Sequence, residues 1–470
     1  MTSLPQFQDY PTHAAQLINA AVAAVNPAAA VNRYLQRNGR TLSIGHEKYE
    51  LTDDSRVFLI SIGKAAVPMA LAAAEILDNA LTNAIVVAKK TDRDWGLEIE
   101  NAPFIIHHSS FKLFESGHPI PNEESVRAAT AALDLATQTT DADLVIFLIS
   151  GGASALLSQP LIPLTEWQQL TNALLASGCT INKLNCVRRQ LDQVKGGGLA
   201  SAYAPAACAS LILSDVIGNP LADIGSGPTV FTNETPADAL AILTQYQVEE
   251  RLDTAVWERV TAVLHQIAET TPASSPRNQH LIIGDVGRAA AAALTKAAQL
   301  GFLAQILTTH LEGEAREIGK VVAALAKDTP AGRCLILGGE TTVTLRGSGR
   351  GGRNQEQALA AAIALEGWPN RVIISFATDG EDGPTDAAGG IVTGETATEA
   401  AARHLNPTAY LKNNDSYTFF QRLEMIAEAE MEMEAGTETG SPHIRIGSTG
   451  TNVNDLLIIL SYPTLRKNDA

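Results

Sequence analysis

Two glycine-containing segments directly follow apolar runs and carry residues able to bind an anion. Lys64 comes after the run Arg56–Ile62 and Gly63, and Ser150-Gly151-Gly152-Ala153-Ser154 comes after the run Asp143–Ile149. Glycine lets a ligand approach the backbone, and free amides at the start of a helix favour negative charge. Both segments therefore suit a phosphate or carboxylate, although a surface lysine and a tight strand–helix turn also explain them in isolation.

Carboxylates are concentrated in two glycine-rich loops. Asp215 follows the apolar run Ser210–Leu213, and a later loop holds Asp379, Glu381 and Asp382. Oxygen ligands of this kind suit Mg²⁺, which keeps several waters when it binds a protein. Asp side chains in such loops also form Asx turns, so both interpretations stay open. The spacing does not match the twelve-residue loop of an EF-hand.

The segment Gly347-Ser348-Gly349-Arg350-Gly351-Gly352 matches the pattern G-x-G-x-x-G between a predicted strand and a predicted helix. A dinucleotide site is one interpretation, a glycine hairpin is the second, and a flexible anion loop that delivers Arg353 is the third. The helix opens with the polar run Arg353-Asn354-Gln355-Glu356, and Asp379 arrives later than the usual ~20 residues. We favour the anion loop, because an arginine beside a helix start combines a bidentate phosphate donor with backbone amides.

Two common catalytic motifs are excluded. Gly63-Lys64 is not a P-loop, because Phe58 stands where a glycine is needed and Ala65 replaces Ser or Thr. No G-x-S-x-G surrounds Ser150 or Ser154, so the chain has no nucleophile elbow there.

Composition excludes several functional classes. The 470 residues carry a formal net charge of −17 and contain no Lys/Arg-rich run, which argues against nucleic-acid binding. The four cysteines form no C-x-x-C pair, Met1–Tyr10 does not resemble a signal peptide, and no apolar run reaches the ~18 residues needed to span a bilayer. We therefore expect a soluble, cytoplasmic protein with free thiols and with neither a nucleic-acid nor a membrane partner.

The pattern of apolar runs predicts strands that alternate with helices, and hence an α/β fold with βαβ units and a parallel sheet. In such sheets ligands bind at the carboxyl ends of the strands, where Lys64, Ser150 and Asp215 stand. The predicted helices are Thr12–Val25, Val67–Leu77, Glu124–Thr137, Gly287–Ala298 and Asn354–Leu365. The predicted strands are Arg56–Ile62, Asn83–Ala88, Asp143–Ile149, Ser210–Leu213, His280–Ile283, Arg333–Leu337, Thr341–Leu345, Val372–Ala377 and Leu456–Leu460.

The length exceeds the ~250–300 residues at which a single core stops growing, so we expect two domains. The stretch Thr270–Gln279, rich in Pro, Ser and Asn, is the best linker candidate. The predicted division is residues 1–270 and residues 280–470.

Taken in order, the motifs resemble those of the class II glycerate kinases, whose C-terminal part is called the MOFRL domain. The resemblance covers nearly the whole chain, and each motif is weak alone while the ordered set is specific. The motifs are Ile62-Gly63-Lys64-Ala65, Gly117-His118-Pro119, Ser150-Gly151-Gly152-Ala153-Ser154, Val194-Lys195-Gly196-Gly197, Ser214-Asp215-Val216-Ile217-Gly218, Ser226-Gly227-Pro228-Thr229, Gly338-Gly339-Glu340-Thr341-Thr342-Val343, Gly351-Gly352-Arg353-Asn354-Gln355-Glu356, Thr378-Asp379-Gly380, Asp382-Gly383, Asn414-Asp415-Ser416-Tyr417 and Thr449-Gly450-Thr451-Asn452-Val453-Asn454-Asp455-Leu456.

The resemblance implies an N-terminal Rossmann-like parallel sheet with flanking helices, a C-terminal α/β domain of MOFRL type, and an active site in the cleft between them. It also implies transfer of the ATP γ-phosphoryl group to D-glycerate with Mg²⁺, commonly giving 2-phosphoglycerate rather than 3-phosphoglycerate. A homodimer is compatible with it.

Family roles carry over residue by residue. Phosphoryl transfer requires positioning and charge neutralisation, so we predict that Lys64 and Arg353 neutralise charge on the transferred phosphoryl group. Asp215 orients or deprotonates the glycerate hydroxyl, and the metal candidates are Asp379, Glu340 and Asp382; the base and metal roles are exchangeable. The predicted substrate- and nucleotide-binding residues are Ser150, Gly151, Gly152, Ser154, Glu340, Gly352, Asn354, Asp379, Asn452 and Asn454.

Two other functional classes remain as alternatives. An NAD(P)H-dependent hydroxypyruvate reductase is supported only by the match at Gly347–Gly352. A non-catalytic phosphosugar-binding sensor is supported by Gly63-Lys64 at a strand end. The functional groups in both halves of the chain argue against a sensor, because binding alone needs fewer of them.

Overall fold

The computed structural model describes residues 5–90, 95–100, 110–268, 277–433 and 441–464. The chain forms two compact units. The central unit is Pro27–Ile283, and the terminal unit combines Met1–Asn26 with Gly284–Ala470. Residues 270–276 of the predicted linker lie outside the described residues.

The bounds of the elements are as follows. The strands are β1 (Leu35–Asn38), β2 (Thr41–Ile44), β3 (Glu47–Glu50), β4 (Val57–Ile62), β5 (Leu81–Lys89), β6 (Ser110–Ser116), β7 (Leu144–Ile149), β8 (Ala207–Leu213), β9 (Asn278–Gly284), β10 (Leu303–Glu314), β11 (Arg333–Thr342), β12 (Arg371–Ala377), β13 (Gly389–Thr393), β14 (His443–Ile444) and β15 (Asp455–Ser461). The helices are α1 (Tyr10–Ala24), α2 (Pro27–Tyr34), α3 (Ala66–Leu77), α4 (Trp95–Glu100), α5 (Glu123–Ala136), α6 (Ala153–Leu156), α7 (Leu164–Ala176), α8 (Ile181–Leu191), α9 (Gly198–Ala202), α10 (Pro236–Gln245), α11 (Thr254–Ala268), α12 (Val286–Gln299), α13 (Ala315–Asp328), α14 (Arg353–Leu365), α15 (Thr396–Ala402), α16 (Pro407–Lys412) and α17 (Ser416–Met433).

The central unit is built on a six-stranded sheet of order β6-β5-β4-β7-β8-β9. The pairs β4–β5, β5–β6, β4–β7 and β7–β8 are parallel, and every residue of β4 and β7 is buried. Continuous apolar strands are typical of parallel sheets that are covered on both faces. From β4 the chain builds outward to β6 on one side and then from β7 outward on the other, which is the Rossmann strand order. The predicted Rossmann-like sheet is therefore confirmed, with its topological switch point between β4 and β7.

The terminal unit is built on a mixed sheet of order β10-β11-β15-β12-β13-β14. Strands β10 and β11 are parallel, but β15 lies antiparallel to both β11 and β12. In this register Asp455 pairs with Gly339 on one side and with Ala377 on the other. The carboxyl ends of β11 and β12 therefore meet the start of β15, which brings three sequence motifs to one edge of the sheet.

Alanine and glycine allow the helices of the terminal unit to pack closely. Ala358, Ala361 and Ala362 of α14 are fully buried in a core that also contains Ala323 of α13. A Cβ atom at Gly319 of α13 would lie 2.4 Å from the carbonyl oxygen of Gln357. The absence of a side chain at Gly319 is thus what permits the close contact between α13 and α14.

Helix α1 belongs to the terminal unit, whereas the sequence prediction placed residues 1–270 together. Its His13 ring lies 2.9 Å, through Nδ1, from the hydroxyl of Tyr462 beyond β15, and stacks on that ring. Leu17 and Ala21 on the same face are fully buried. The packing of this face of α1 against distant residues such as Tyr462 places α1 in the terminal unit. The chain passes into the central unit at Pro27.

Other differences from the predicted elements have local causes. Thr341–Leu345 is not a separate strand, because β11 continues from Arg333 to Thr342. The antiparallel sheet β1-β2-β3 was not predicted, because its four-residue strands are largely polar and give no apolar run. Strand β10 was missed because none of its residues is fully buried, and half-buried and exposed positions alternate along most of its length without a continuous apolar run.

No single helix in the described part of the chain is long and apolar enough to cross a bilayer. One bent pair, Phe7–Ala24 with Pro27–Tyr34, meets the criterion by length and composition only.

Candidate functional site

Lys64 and the 150–152 loop are held together at the switch point of the central sheet. The backbone N–H of Lys64 donates to the carbonyl oxygen of Gly151 at 2.9 Å, and the N–H of Ala65 donates to Ser150 Oγ at 3.0 Å. A Cβ atom at Gly63 would lie 2.1 Å from Ser150 Oγ, and Gly63 has a φ of +129°. Glycine is therefore required at position 63 for the two strand ends to join.

Asp215 lies on the other side of the same loop. It follows β8, the neighbour of β7, and a Cβ atom at Gly151 would lie 1.9 Å from Asp215 Oδ2. Lys64 and Asp215 are both half-buried and both reach the Ser150–Gly152 backbone. The structure thus brings a cation, a carboxylate and a glycine loop together, as the sequence predicted from the ends of the strands.

The close contact of Gly151 with Asp215 gives a testable consequence. Gly151→Ala should push the Asp215 carboxylate aside and lower turnover by about 100-fold, because displacement of a reacting group by ~1 Å has an effect of that size. The variant should fold, because the conflict is with a side chain and Gly151 has no positive φ. Steady-state kinetics measure the effect. Gly287→Ala is the matched control, since the new methyl group meets only ordinary contacts from 3.5 Å to Asp285.

Ser154 has a different environment from the glycines that precede it. Its Oγ lies 2.8 Å from Ser226 Oγ, and Ser226 donates to Asn185 Oδ1 at 2.9 Å. This chain of hydrogen bonds connects α6 with the loop after β8 and with α8. Ser154 therefore contributes to a hydrogen-bond network that connects α6, α8 and the loop that contains Asp215 and Ser226.

Lys195 stabilises the same region. It belongs to the motif Val194-Lys195-Gly196-Gly197, and the sequence predicted no role for it. Its side chain is buried, and Nζ donates to the carbonyl oxygens of Leu157 and, at 3.4 Å, Ala153. Burial lowers the pKa of Lys195 to about 8, and the charge of Asp192 opposes this shift. Lys195 thus closes the end of the short helix α6 that follows Gly152.

The buried Lys195 predicts a pH dependence of stability. In the unfolded chain the lysine keeps a pKa of about 10.5, so between pH 8 and 10.5 the unfolded state binds more protons than the folded state and stability rises with pH. The unfolding free energy of the wild type minus that of Lys195→Met should increase by about 3 kcal/mol over this window. Denaturant titrations at several pH values measure it. A flat difference, as expected for the exposed control Lys48→Met, would contradict the role of burial.

In the terminal unit, Arg353 is the first residue of α14 and is held by two carboxylates. Its Nε and Nη2 donate to the two oxygens of Asp455, the latter at 2.9 Å, and Nη1 lies 3.1 Å from Glu340 Oε1. Asn454 Nδ2 donates to Glu340 Oε2 at 2.7 Å. The structure therefore brings together three of the predicted residues, and it adds Asp455.

Asp455 has an unusual electrostatic environment. Burial raises the pKa of Asp455 to about 7, although the Arg353 guanidinium acts in the opposite direction. Asp455 and Glu340 in turn hold the pKa of Arg353 above its ordinary value. The Glu340 side chain is 44% exposed and that of Asp455 is 9% exposed. Arg353 is therefore anchored from the interior by Asp455, while Glu340 remains accessible to a ligand.

The predicted metal ligand Asp382 has a different role in the structure. Its Oδ1 accepts from the backbone N–H of Asn354 at 3.0 Å, and its Oδ2 accepts from the N–H of Gln355 at 2.9 Å. The side-chain amides of the same two residues donate to this carboxylate as well. Asp382 is buried and neutralises the start of α14, where the helix dipole favours an anion. We therefore do not retain it as a metal ligand.

Asn354 and Gly352 also serve the interior of the terminal unit. Asn354 is buried, and its side-chain oxygen accepts from Ser375 Oγ at 2.8 Å. A Cβ atom at Gly352 would lie 2.3 Å from the carboxyl carbon of Asp382. Both residues, predicted as ligand-binding, thus hold the start of α14 against the loop after β12.

Asp379 and Asn452 lie in the loops that meet at the start of β15. Asp379 Oδ1 accepts from the backbone N–H of Glu381 at 3.1 Å, and its carbonyl oxygen accepts from Thr449. Asn452 Oδ1 accepts from the N–H of Asn454 at 3.2 Å. Asp379 is half-buried in this turn.

The glycine-rich segment 347–352 packs against protein. Cβ atoms at Gly347, Gly349 and Gly351 would lie 2.2–2.4 Å from atoms of the segment Asn413–Ser416. Asn414 Oδ1 accepts from the backbone N–H of Gly347 at 3.0 Å. These glycines are therefore required by the neighbouring loop, which accounts for the G-x-G-x-x-G pattern without a dinucleotide.

Comparisons with known proteins agree with this architecture. A family model described as a domain of unknown function (DUF4147) matches residues 13–261, and the MOFRL family matches residues 333–455. The D-glycerate 2-kinase of Thermotoga maritima is 40% identical over 412 residues, which cover 86% of this chain and 90% of that protein. A human glycerate kinase is 36% identical over 96% of this chain and 93% of its own length.

Solved structures show the same fold. A crystal structure of the glycerate kinase of Thermotoga maritima matches with a TM-score of 0.79 and 37% identity, covering 96% of this chain and 99% of that one. A structure of a Pyrococcus horikoshii protein matches with a TM-score of 0.78 and 32% identity, covering 99% and 100%. Fold and family models together define a Rossmann-like unit combined with a MOFRL unit. The chain belongs to the class II glycerate kinase family.

Proposed function

We propose that this protein is an ATP-dependent glycerate kinase that phosphorylates the 2-hydroxyl of D-glycerate and releases ADP. The observation that carries the proposal is the meeting of Lys64 and Asp215 on the Ser150–Gly152 loop at the switch point of a Rossmann-like sheet. Ligands of such sheets bind at this edge. Relatives named D-glycerate 2-kinase and glycerate 2-kinase support the position of the hydroxyl.

The central unit supplies the groups for the acceptor. In the proposed reaction the 2-hydroxyl oxygen of glycerate attacks the γ-phosphorus of ATP, a new O–P bond forms, and the bond to the β–γ bridging oxygen breaks. Asp215 orients the hydroxyl and takes its proton, and Lys64 neutralises the negative charge of the transferred group. Most of the work is positioning and charge neutralisation, as in other phosphoryl transfers.

The terminal unit supplies groups suited to the nucleotide phosphates. Arg353 presents a planar guanidinium that Asp455 holds from the interior, and such a fork matches phosphate oxygens. Asn454 and Glu340 form a hydrogen-bonded pair beside it. We propose that these residues bind ATP, with Asn452 in the adjoining turn.

Among the described residues, no group of three or more His, Cys, Asp and Glu is arranged to hold a metal ion. Mg²⁺ in kinases is instead bound through one or two carboxylates plus the phosphates of the substrate and water. The carboxylates of Glu340, which is exposed, and of Asp379, which is half-buried, fit that donor set. The Asp382 carboxylate does not, because it is buried and accepts four N–H groups at the start of α14. We propose that Asp379 and Glu340 hold the Mg²⁺ that accompanies ATP, where the ion would neutralise phosphate charge.

The predictions of a cytoplasmic location, of a homodimer and of no nucleic-acid or membrane partner are retained as part of the proposal. The acidic balance of the chain supports the exclusion of nucleic acid, because 51 Asp and Glu outnumber 34 Lys and Arg.

A coupled assay of ADP release tests the proposed function. The purified protein with ATP and Mg²⁺ should release ADP only when D-glycerate is added. A parallel assay with NADH and hydroxypyruvate should show no oxidation of NADH. Oxidation of NADH without glycerate-dependent ADP release would favour a reductase, and binding of D-glycerate without turnover would favour a sensor; both would contradict the kinase.

A further inference from the structure

A group of basic side chains surrounds the glycine loop of the central unit. A Cβ atom at Gly152 would lie 3.1 Å from His118 Cδ2 and 3.5 Å from Lys64 Cγ, so the imidazole and the lysine stem both lie against Gly152. His118 follows β6 and Lys64 follows β4, two strands that end at the same edge of the sheet. The loop is therefore bordered by Asp215 at Gly151 and by these two basic side chains at Gly152.

Arg188 lies close to this group. It belongs to α8, and its positive charge acts on both the His118 ring and the Lys195 ammonium. Lys195 Nζ lies 3.4 Å from the carbonyl oxygen of Ala153, the residue after Gly152. Asn185, which lies one helical turn before Arg188 on the same face of α8, is connected through Ser226 Oγ to Ser154 Oγ of α6. This chain of hydrogen bonds places the face of α8 that carries Arg188 beside the short helix that follows Gly152.

The cations of this group are not neutralised by ion pairs within the described part of the chain. Neither the Lys64 ammonium nor the Arg188 guanidinium has an ion-pair or hydrogen-bond partner there, and Asp192 is the described acidic group whose charge acts on Arg188. The neighbouring Arg189, by contrast, is bound by Glu234 and Asp223. Burial lowers the pKa of Arg188 to about 10, which shows that its charge is partly removed from water. A desolvated cation without a counter-ion is favourable only if an anionic ligand supplies one.

We propose that Arg188 and His118 form the subsite that binds the carboxylate of the acceptor substrate. The assignment rests on the proposed glycerate kinase function and adds a specificity determinant to it. In D-glycerate the carboxylate is bonded to the same carbon as the 2-hydroxyl. A hydroxyl bound at Asp215 therefore places the carboxylate within one bond of the carbon that carries the reacting hydroxyl, and we place it on the Gly152 side where these two residues lie.

The two residues have different roles in the subsite. Arg188 supplies a planar guanidinium that binds a carboxylate with two parallel hydrogen bonds. Burial and the positive charges of Lys64, Lys89 and Arg188 lower the pKa of His118 to about 4, so the ring is neutral at neutral pH. It therefore adds a hydrogen bond without adding charge, and Lys64 is left to face the phosphoryl group.

The test compares D-glycerate with D-glyceramide, its neutral amide, in the wild type and in Arg188→Gln. We expect Arg188→Gln to lower kcat/KM for D-glycerate by about 100-fold, mainly through KM, because a buried charge loses its partner. The same substitution should change kcat/KM for D-glyceramide by less than about threefold. Arg188→Lys should recover part of the loss, because it restores charge without the planar fork.

Three outcomes are decisive. An equal loss for both acceptors would overturn the proposal, because the residue would then act through structure. A raised KM for ATP with an unchanged KM for D-glycerate would also overturn it, because the group would then bind nucleotide phosphate. The control Lys48→Gln removes an equal charge from an exposed position of β3 in the same unit and should leave both KM values unchanged. A wild-type protein with no glycerate-dependent ADP release would refute the proposed function itself, independently of Arg188.

Discussion

Lys64→Ala should lower kcat for glycerate phosphorylation by about 1000-fold or more. The lysine follows β4 at the switch point and lies against Gly152, with its backbone locked to Gly151. A cation that neutralises charge on the transferred phosphoryl group acts mainly in the transition state, and its loss in other kinases and GTPases has an effect of this size. We therefore expect kcat and kcat/KM to fall together, with little change in KM for either substrate.

Pre-steady-state and steady-state kinetics measure this effect. The matched control is Lys48→Ala, an exposed lysine on β3 of the same unit, which should keep wild-type kinetics. The same assay separates Lys64 from Arg188, because Lys64→Ala acts on kcat and Arg188→Gln acts on the KM for D-glycerate. Near-normal turnover of a folded Lys64→Ala protein would remove the lysine from the catalytic machinery.

Arg353→Ala should also abolish most of the activity, with a loss of about 1000-fold in kcat/KM. Unlike Lys64, this residue has a second function, since it pairs with the buried Asp455. Its removal leaves that carboxylate without a partner, and we expect the free energy of unfolding to fall by about 2–3 kcal/mol near neutral pH. Arg353 opposes the rise that burial causes in the pKa of Asp455, so this pKa should rise further in the variant. The loss of stability relative to the wild type should therefore grow as pH rises above about 7, where Asp455 becomes ionised in the wild type and stays protonated in the variant.

A double variant separates the two functions of Arg353. Arg353→Ala combined with Asp455→Asn removes both charges and should regain most of the lost stability, because no unpaired charge is then buried. The activity should remain about 1000-fold below that of the wild type. Arg422→Ala, an exposed arginine of α17, serves as the control for loss of charge. Recovery of activity in the double variant would show that Arg353 acts only through stability.

The candidate site of the central unit was predictable because it depends on local sequence signals. Buried apolar runs before Lys64, Ser150 and Asp215 predicted parallel strands, and strand order in such sheets places their carboxyl ends together. This prediction needed only one local pattern, namely a run of apolar residues followed directly by glycine and polar residues. The confirmed Rossmann order explains why these residues meet in space despite separations of many residues.

The candidate site of the terminal unit was less predictable because it depends on long-range strand pairing. Asp455 begins the last strand, and its contact with Arg353 exists only because β15 inserts antiparallel between β11 and β12. No local pattern specifies that insertion. The same holds for Asp382, whose carboxylate resembles a metal ligand in sequence but accepts N–H groups from α14 once the loop after β12 folds against that helix.

Arg188 and His118 illustrate a third case. His118 lies within the motif Gly117-His118-Pro119, whereas Arg188 lies in no motif that the sequence singled out, and neither residue has a spacing that indicates a ligand. Their significance follows from what surrounds them, namely Gly152, Lys64 and the buried Lys195. The lack of an ion pair at the half-buried Arg188 within the described part of the chain becomes visible only once the carboxylates of that part have been placed.

The most direct test of the central claim is phosphorus NMR of the product formed from ATP, Mg²⁺ and D-glycerate, with proton coupling used to identify the phosphorylated carbon. The account predicts one new phosphomonoester signal coupled to the single proton on carbon 2, accompanied by an equal amount of ADP. A signal coupled to the two protons on carbon 3 would contradict the assigned hydroxyl, and ADP with only inorganic phosphate would contradict the kinase.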